Sequence, residues 1–317
     1  MKTCLFAIKD SNVLGQAIAD ALSVCLSEHE EIDFEDGEHK IRPLVDVQDR
    51  SVMVIHSLYG EPGISTNDKL CRLLFFVGAL KDSGASKITV LVPYLCYSRK
   101  DRRSEESDPV CTRYLAQMLE AVGTDAILTM DVHNAAAFQN AHRIPNRNLS
   151  AQSLFVQHFA PDLRGQDIAV VSPDSGGVKR SEVFRTALQE ATGAKVSKGF
   201  VEKLRKNEKV WGHTLVGDVK DKVVVMIDDM IASGTTLAKA AEACKEMGAL
   251  KVYAGATHGV FNERSDKTLS TKSLDRIVIT DSIPPLRIES KEVKSKLEIL
   301  SSVGLWTKAI SGDRFPD

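Results

Sequence analysis

The sequence predicts an α/β protein, because short apolar runs alternate along the chain with amphipathic stretches of helical length. Continuous runs rich in Val and Ile, separated by helices, are typical of parallel strands that are buried on both faces of a sheet. The predicted strands are Cys4–Ile8, Val52–Leu58, Ile88–Leu95, Ala126–Asp131, Ile168–Ser172, Val223–Ile227, Val252–Ala256 and Ile277–Thr280. The predicted helices between them are Asn67–Ser83, Thr112–Val122, Gly177–Ala191 and Thr235–Met247.

An internal repeat predicts two copies of one α/β unit. Residues 79–88, ALKDSGASKI, match residues 243–252, ACKEMGALKV, with five identities and two conservative exchanges. In both copies a Gly follows a helical pattern and precedes a strand, as at the C-terminus of a helix. We therefore expect domains at residues 1–147 and 148–317, joined by a crossing linker at Arg143–Ser150.

Composition excludes several classes of function. The 317 residues suit two domains of ordinary size, and 43% hydrophobic with 26% charged residues is the balance of a globular protein. A formal net charge of −2 gives no electrostatic basis for binding nucleic acid or an anionic membrane. No apolar run is long enough for a signal peptide or a membrane span. The six scattered cysteines form no CxxC pair, so we expect reduced thiols and a cytoplasmic protein.

Two adjacent acids, Asp228 and Asp229, end a predicted strand, where the first copy has His56-Ser57. Ligands of parallel sheets bind beyond the carboxyl ends of the strands. The loop that follows brings small side chains and backbone N–H groups to a helix N-terminus, which favours an anion. Paired carboxylates suit sugar hydroxyls, so this half predicts a sugar-phosphate site; the alternative is an ordinary strand-to-helix turn. The loop residues are Ser233, Gly234, Thr235 and Thr236.

This stretch resembles the ribose-5-phosphate loop of the type I phosphoribosyltransferase fold, and further motifs resemble those of the phosphoribosyl-diphosphate (PRPP) synthetases. In chain order, the segments that resemble FxDGE, PYxxYxRQDR, DLH, SPDxGGV and DDMIDTGGTL are Phe34–Glu38, Pro93–Arg103, Asp131–His133, Ser172–Val178 and Asp228–Leu237. The resemblance implies two duplicated phosphoribosyltransferase-like domains, each a mainly parallel sheet flanked by helices.

The resemblance also implies roles for individual residues in forming PRPP and AMP from ATP and ribose 5-phosphate. ATP binding is expected at Phe34, Asp36, Glu38, Arg99, Lys100, Asp101, Arg102 and His133. Ribose 5-phosphate is expected at Asp174, Gly176, Gly177 and the Asp228–Thr236 residues above, with Mg²⁺ near His133 and Asp174. Lys203 and Arg205 resemble the catalytic loop. Because FxDGE contacts adenine from a neighbouring subunit in the family, a homo-oligomer is expected, either a dimer or a hexamer of dimers.

The chain departs from the family pattern at several positions. Leu204 stands in the middle of the catalytic Lys-Arg-Arg pattern, and Ala232 replaces the Asp of the DTGGT loop. Gln48 and the residues from Ile310 onward differ from the phosphate-activated, ADP-inhibited class, so that regulation is not expected. The alternatives are a non-catalytic regulatory protein associated with PRPP synthetases and, less favoured, a phosphoribosyltransferase.

Overall fold

The computed structural model describes residues 3–206 and 209–312, with side chains throughout except at residues 203–206 and 209–213. The chain forms two compact units: one contains the residues up to Ser150 and those from Ser302 onward, and the other is Ala151–Ser301. Among the residues described, no helix combines the length and apolarity that a bilayer crossing requires.

The first unit is built on a five-stranded parallel sheet. Its strands are β1 (Cys4–Ala7), β4 (Ser51–Ile55), β5 (Lys87–Val92), β6 (Ala126–Met130) and β7 (Asn146–Leu149), hydrogen-bonded in that order. A separate antiparallel hairpin consists of β2 (His29–Asp33) and β3 (His39–Pro43). The helices that follow the strands are α1 (Asn12–Ala21), α2 (Thr66–Asp82), α3 (Cys111–Ala121) and α4 (Ala135–Ala141).

The second unit repeats this order and places its hairpin on the edge of the sheet. It contains α5 (Gln152–Leu163), β8 (Ile168–Ser172), α6 (Val178–Thr192), β9 (Val196–Lys206), β10 (Lys209–Gly217), β11 (Val223–Met230), α7 (Thr235–Glu246), β12 (Lys251–His258), α8 (Ser265–Leu269), β13 (Arg276–Thr280), α9 (Lys291–Lys296) and β14 (Leu297–Leu300). The sheet order is β10-β9-β8-β11-β12-β13-β14, and β10 is its antiparallel strand. Strands β8-β11-β12-β13-β14 thus correspond to β1-β4-β5-β6-β7.

The sequence repeat has the same backbone hydrogen bonds in both units. Gly84 after α2 and Gly248 after α7 adopt φ values of 84° and 87°, in the left-handed region that glycine reaches without strain. The carbonyl of Gly84 accepts from Asp49 N–H at 2.9 Å, and that of Gly248 accepts from Asp221 N–H at 2.9 Å. The two copies of the repeat are therefore one structural unit used twice.

Helix α7 is fixed to the sheet by one buried face. Leu237, Ala240, Ala241 and Cys244 are buried at the i, i+3, i+4, i+7 spacing of a single helical stripe. The small side chains let the helix lie close to β11 and β12, whose apolar runs are buried on both faces. This packing sets the position of the helix N-terminus relative to the end of β11.

The structure differs from the sequence prediction at the ends of both halves. The units divide between Ser150 and Ala151, and α10 (Val303–Ser311) packs against α1 in the first unit. The fully buried Trp306 holds α10 there, because its apolar ring needs a core to enter. Residues predicted as a linker contain β7, whose polar sequence is tolerated since it is an edge strand with only Leu149 buried.

Candidate functional site

The loop after β8 folds around the carboxylate of Asp174. Its Oδ1 accepts hydrogen bonds from Gly176 N–H at 2.9 Å and Gly177 N–H at 3.1 Å, and the Ser172 hydroxyl donates to the Asp174 carbonyl at 2.6 Å. A Cβ at Gly177 would lie 2.9 Å from Ser172 Oγ, so this position has no room for a side chain. The two glycines that were expected to bind ribose 5-phosphate donate here to Asp174 and hold its carboxylate at the start of α6.

The two acids of β11 share one arginine. Arg180 Nη1, from the first turn of α6, lies 2.8 Å from Asp228 Oδ1 and 3.3 Å from Asp229 Oδ1. The backbone N–H of Asp229 donates to Asp228 Oδ1 at 2.9 Å, and Asp229 is only 4% exposed. Sequence reasoning missed Arg180. Its place one helical turn beyond the Gly-Gly loop was the available signal, because that turn begins at the carboxyl edge of the sheet.

Asp228, the first acid of the pair, has a raised pKa. Burial raises the pKa of Asp228 to about 7; the neighbouring Asp229 carboxylate adds to the rise, and Arg180 opposes it. Two carboxylates side by side cannot both ionise readily, so the protons belong to the pair. When ionised, carboxylates only accept hydrogen bonds, which is what a sugar diol requires of its partner.

The loop between β11 and α7 is held from behind by the segment after β12. Ile231 N–H donates to the His258 carbonyl at 2.9 Å, and the carbonyl of Ala232 accepts from the buried Ser265 hydroxyl at 2.7 Å. Gly234 adopts φ +76°, and a Cβ there would lie 2.5 Å from Leu269 Cδ2. Glycine is therefore favoured at this position, and the hydrogen bonds of Ile231 and Ala232 hold the loop backbone.

The N-terminus of α7 is open, whereas its counterpart in the first unit is closed by its own side chains. Helix α2 starts with a capping box, in which Ser65 Oγ accepts from Asp68 N–H at 3.2 Å and Asp68 Oδ2 accepts from Ser65 N–H at 2.7 Å. Helix α7 has Gly234 at its N-cap and no side-chain cap from that residue; the nearby Ser233 Oγ accepts from Thr235 N–H at 3.4 Å. The start of α7 is therefore suited to an anion supplied from outside.

In the first unit, a lysine lies at the edge of the sheet that corresponds to the position of the acid pair in the second unit. Lys69 Nζ is fully buried, 2.7 Å from Glu61 Oε1, 3.4 Å from Asp10 Oδ2 and 3.6 Å from the centroid of the Tyr59 ring. His56 follows β4 as Asp228 continues β11; burial, assisted by the Lys69 ammonium, lowers the pKa of His56 to about 3. At this edge the buried ammonium of Lys69 is therefore paired with carboxylates of its own unit.

A basic loop and the His133 segment meet in the first unit. The carboxylate of Asp101 accepts a hydrogen bond from Asn134 Nδ2 at 2.6 Å, and the Asn134 side chain caps α4. The exposed side chains of Arg99 and Arg102 extend from the same loop. Lys100 pairs with the carboxylate of Asp108 at 2.9 Å. The structure thus brings together Asp101 and the His133 segment, which are far apart in sequence.

The Phe34–Glu38 segment forms the tip of the β2–β3 hairpin. Phe34 N–H donates to the Glu38 carbonyl at 2.8 Å across the turn, and Gly37 adopts φ +89°. The Phe34 ring is 48% exposed, so the aromatic side chain available for a base or a partner is already presented to solvent. Arg72 of α2 secures strand β2 of the hairpin through ion pairs with Glu31, at 2.8 Å, and Asp33.

Comparison with known proteins gives the family. Residues 3–123 match a family model described as the N-terminal domain of ribose phosphate pyrophosphokinase, and residues 175–309 match the phosphoribosyl synthetase-associated domain. The ribose-phosphate pyrophosphokinase of Pasteurella multocida is 34% identical over 309 residues, covering 96% of this chain and 94% of that protein. Ribose-phosphate pyrophosphokinase 1 of Streptococcus pyogenes is 31% identical over 307 residues, with 96% and 92% covered. The chain belongs to the ribose-phosphate pyrophosphokinase family.

A solved structure of a family member has the same fold. The crystal structure of phosphoribosylpyrophosphate synthetase from Mycobacterium smegmatis matches with a TM-score of 0.88 and 28% sequence identity, covering 98% of each chain. The predicted α/β fold class and the predicted family are confirmed.

The proposed catalytic residues of this family member lie on the edge hairpin. In the backbone register, Lys203 pairs with His213 and Arg205 pairs with Val210 across β9 and β10. Their side chains lie outside the described residues, so their roles stay predictions.

The described residues contain no group of three or more His, Cys, Asp or Glu side chains that could cage a metal ion. Magnesium often keeps its waters and binds one or two carboxylates together with substrate phosphates, so its binding does not depend on a cluster of three protein ligands. A protein-only Mg²⁺ cage is therefore not required, and Mg²⁺ binding at Asp174 and His133 stays a proposal.

Proposed function

We propose that this chain transfers the diphosphoryl group of ATP to the anomeric hydroxyl of ribose 5-phosphate, which gives 5-phosphoribosyl 1-diphosphate and AMP. The observation that carries the proposal is the meeting of two adjacent acids with an open helix N-terminus at one edge of the second unit. Asp228 and Asp229 accept hydrogen bonds from the 2- and 3-hydroxyls of the ribose. Ser233 to Thr236 bind its 5-phosphate through hydroxyls and backbone N–H groups.

The chemistry asks the protein for positioning and charge stabilisation. The anomeric oxygen forms a bond to the β-phosphorus, the bond from that phosphorus to the α-phosphate oxygen breaks, and AMP leaves with the electron pair while the hydroxyl loses its proton. No covalent nucleophile from the protein is needed. Lys203 and Arg205 stabilise charge on the transferring group. Asp174 and His133 are the predicted ligands of Mg²⁺, which would supply charge neutralisation for the phosphates.

Arg180 supplies a positive charge beside the buried carboxylates of Asp228 and Asp229. Its guanidinium is within hydrogen-bonding or ion-pair distance of both acids. It therefore favours the ionised form of the pair, which is the form that accepts hydrogen bonds from the ribose. We assign it a positioning role beside the substrate-binding acids.

ATP binds on the first unit. Arg99 and Arg102 suit its phosphates, because guanidinium groups form charge-assisted hydrogen bonds with phosphate oxygens. Asp101 is oriented by Asn134, next to His133. Lys100 pairs with Asp108, so it can bind the ATP phosphates only if this ion pair breaks.

The adenine contacts come from the Phe34–Glu38 turn of a second copy of the chain. Exposed apolar side chains on and beside this hairpin, Phe34, Leu44 and Phe75, supply surface that a second copy would cover. The expected homo-oligomer follows from this arrangement. A cytoplasmic location stays a prediction, which agrees with six free cysteines, all within the described residues.

AMP formation tests the function. Purified protein with Mg-ATP should release AMP only when ribose 5-phosphate is present, and Lys203→Ala should lose most of that rate while Lys195→Ala, on an exposed lysine just before the hairpin, should keep it. A folded protein that binds ATP and makes no AMP would instead support the regulatory alternative, which Leu204 favours. Release of diphosphate from added 5-phosphoribosyl 1-diphosphate and a free base would support the phosphoribosyltransferase alternative.

A further inference from the structure

A cavity of about 440 Å³ lies in the second unit, between α6 and the strands that lead into the edge hairpin. Its floor is one face of the sheet: Lys198 is in register with Val170 of β8, and Phe200 is in register with Val216 of β10. Cross-strand partners point to the same face, so these four side chains line one surface.

The roof of the cavity is one stripe of α6. Val178, Ser181, Glu182 and Arg185 follow the i, i+3, i+4, i+7 spacing, which places them along a single face of the helix. Helix α6 packs against β8, β9 and β11, and β10 lies beyond them at the edge of the sheet. The space therefore opens as a wedge under the helix. The cavity is open to solvent at Val178 and Val216, and clefts of this volume are typical of small-molecule sites.

One polar group in the cavity has unmet hydrogen-bonding capacity. Ser181 is 5% exposed, and its Oγ has no hydrogen-bond partner among the described residues. A buried hydroxyl without a partner is unfavourable, and native proteins almost always satisfy such groups. The Ser181 hydroxyl can donate one hydrogen bond and accept others, so it selects a ligand with a polar group.

The charges of the lining select an anion. Arg185 is already satisfied: its Nε and Nη2 donate to Glu182 at 3.1 and 2.7 Å, and its Nη1 donates to Gln189 Oε1 and the Val196 carbonyl, both at 3.2 Å. The exposed ammonium of Lys198 is then the cation that remains for a ligand, and it gives the lining a net positive charge. The remaining walls, Val170, Val178, Phe200 and Val216, are apolar.

We propose that this cavity binds a small monoanion with an apolar body of one or two rings, whose polar group meets Ser181 Oγ and whose charge meets Lys198. Phe200 and Val216 continue directly along β9 and β10 towards Lys203 and His213. An occupant contacts both strands at the base of the hairpin that carries the proposed catalytic residues. It is therefore an effector of the diphosphoryl transfer, and this second statement rests on the proposed function.

Calorimetric titration of the full chain with 1-naphthoate, in saturating ribose 5-phosphate and without ATP so that no reaction occurs, tests the site. We expect one naphthoate per chain, with 1-naphthyl phosphate, a dianion, binding no more tightly. Ser181→Ala should weaken the affinity about fivefold, the effect of one hydrogen bond. Thr186→Ala is the matched control, because its hydroxyl, on the same helix, is exposed and donates to the Glu182 carbonyl. Val216→Trp should fill the cavity and abolish binding.

Equal affinity for the wild type and Val216→Trp would place the ligand elsewhere and overturn the proposal, as would the absence of binding to the folded wild type at millimolar naphthoate. The effector role is measured separately as AMP formation at saturating substrates. A change in kcat with naphthoate in the wild type, lost in Val216→Trp, supports it. Binding without any change in kcat removes the effector role and leaves the site, and a chain that forms no AMP at all refutes the proposed function without touching the binding result.

Discussion

Replacing Arg180 with Gln removes a cation that contacts both acids of the proposed ribose site. The substitution keeps a polar side chain of similar length, so the main change is the lost charge. An opposite charge at this range lowers a carboxyl pKa by about 1–3 units, so its removal should raise the pKa of Asp228 above its present value of about 7.

The size of the effect follows from the fraction of ionised pair. At pH 7.5 a group with a pKa of about 7 is roughly three-quarters ionised, and an upward shift of about one unit leaves roughly one-quarter. If the ionised pair is what binds the ribose hydroxyls, the KM for ribose 5-phosphate in Arg180→Gln should rise at least about threefold at pH 7.5. At pH 9 both proteins are mostly ionised, so the difference should fall below about twofold.

The assay is the steady-state rate of AMP formation against ribose 5-phosphate, at saturating Mg-ATP, from pH 6.5 to pH 9. Lys179→Gln is the matched control, because it removes an exposed charge from the neighbouring position of α6. A KM increase of the same size at every pH would refute the reasoning, since it would mean that Arg180 acts by direct contact rather than through ionisation of the acids.

Three further substitutions separate function from stability. Asp228→Asn should abolish ribose binding and raise Tm. The pKa of Asp228 is raised on folding from 3.8 to about 7, so the wild type loses stability as pH rises between those values. The gain in Tm from the substitution should therefore be larger at pH 8 than at pH 5. Lys69→Met should lower the free energy of unfolding in urea by about 3–5 kcal/mol, because it leaves the nearly buried carboxylates of Asp10 and Glu61 without their cation. Gly234→Ala should cost about 1–3 kcal/mol through the contact with Leu269 and should raise the KM for ribose 5-phosphate.

Each of these three predictions would be contradicted by a specific measurement. A Tm gain for Asp228→Asn that is equal at the two pH values would show that the buried charge is not the cause. Lys69→Met within about 1 kcal/mol of the wild type would mean that its ion pairs contribute little. Gly234→Ala with normal ribose 5-phosphate kinetics would mean that the loop tolerates a shifted backbone.

The central strands and helices could be predicted from the sequence, because buried elements have a regular spacing of apolar residues. The predicted helix Thr235–Met247 is α7 to within one residue. The strand predicted at Val223–Ile227 extends to Met230, since Asp228 and Met230 still pair with β12. Apolar periodicity cannot show a strand that continues through charged residues, because the hydrogen-bond ladder does not depend on their polarity.

The parts that the sequence left out depend on contacts between distant residues. Arg180 belongs to the site only because β8 and β11 are neighbours in the sheet, 48 residues apart at the contact. The hairpin β2–β3 is mostly polar and has one buried residue, so it lacks an alternating apolar pattern, and it is secured by Arg72 of a later helix. Helix α10 belongs to the first unit because Trp306 is buried there. The local sequence of α10 does not show which of the two cores this tryptophan enters.

The central claim is that the second unit holds the ribose 5-phosphate site while its duplicate in the first unit is closed by its own side chains. Calorimetric titration of the wild type, Asp229→Asn and Asp68→Asn with ribose 5-phosphate tests it most directly. We expect one ribose 5-phosphate per chain, lost in Asp229→Asn and kept in Asp68→Asn, which removes a carboxylate from the capping box of α2. Two equivalent sites per chain, or unchanged binding in Asp229→Asn, would contradict it.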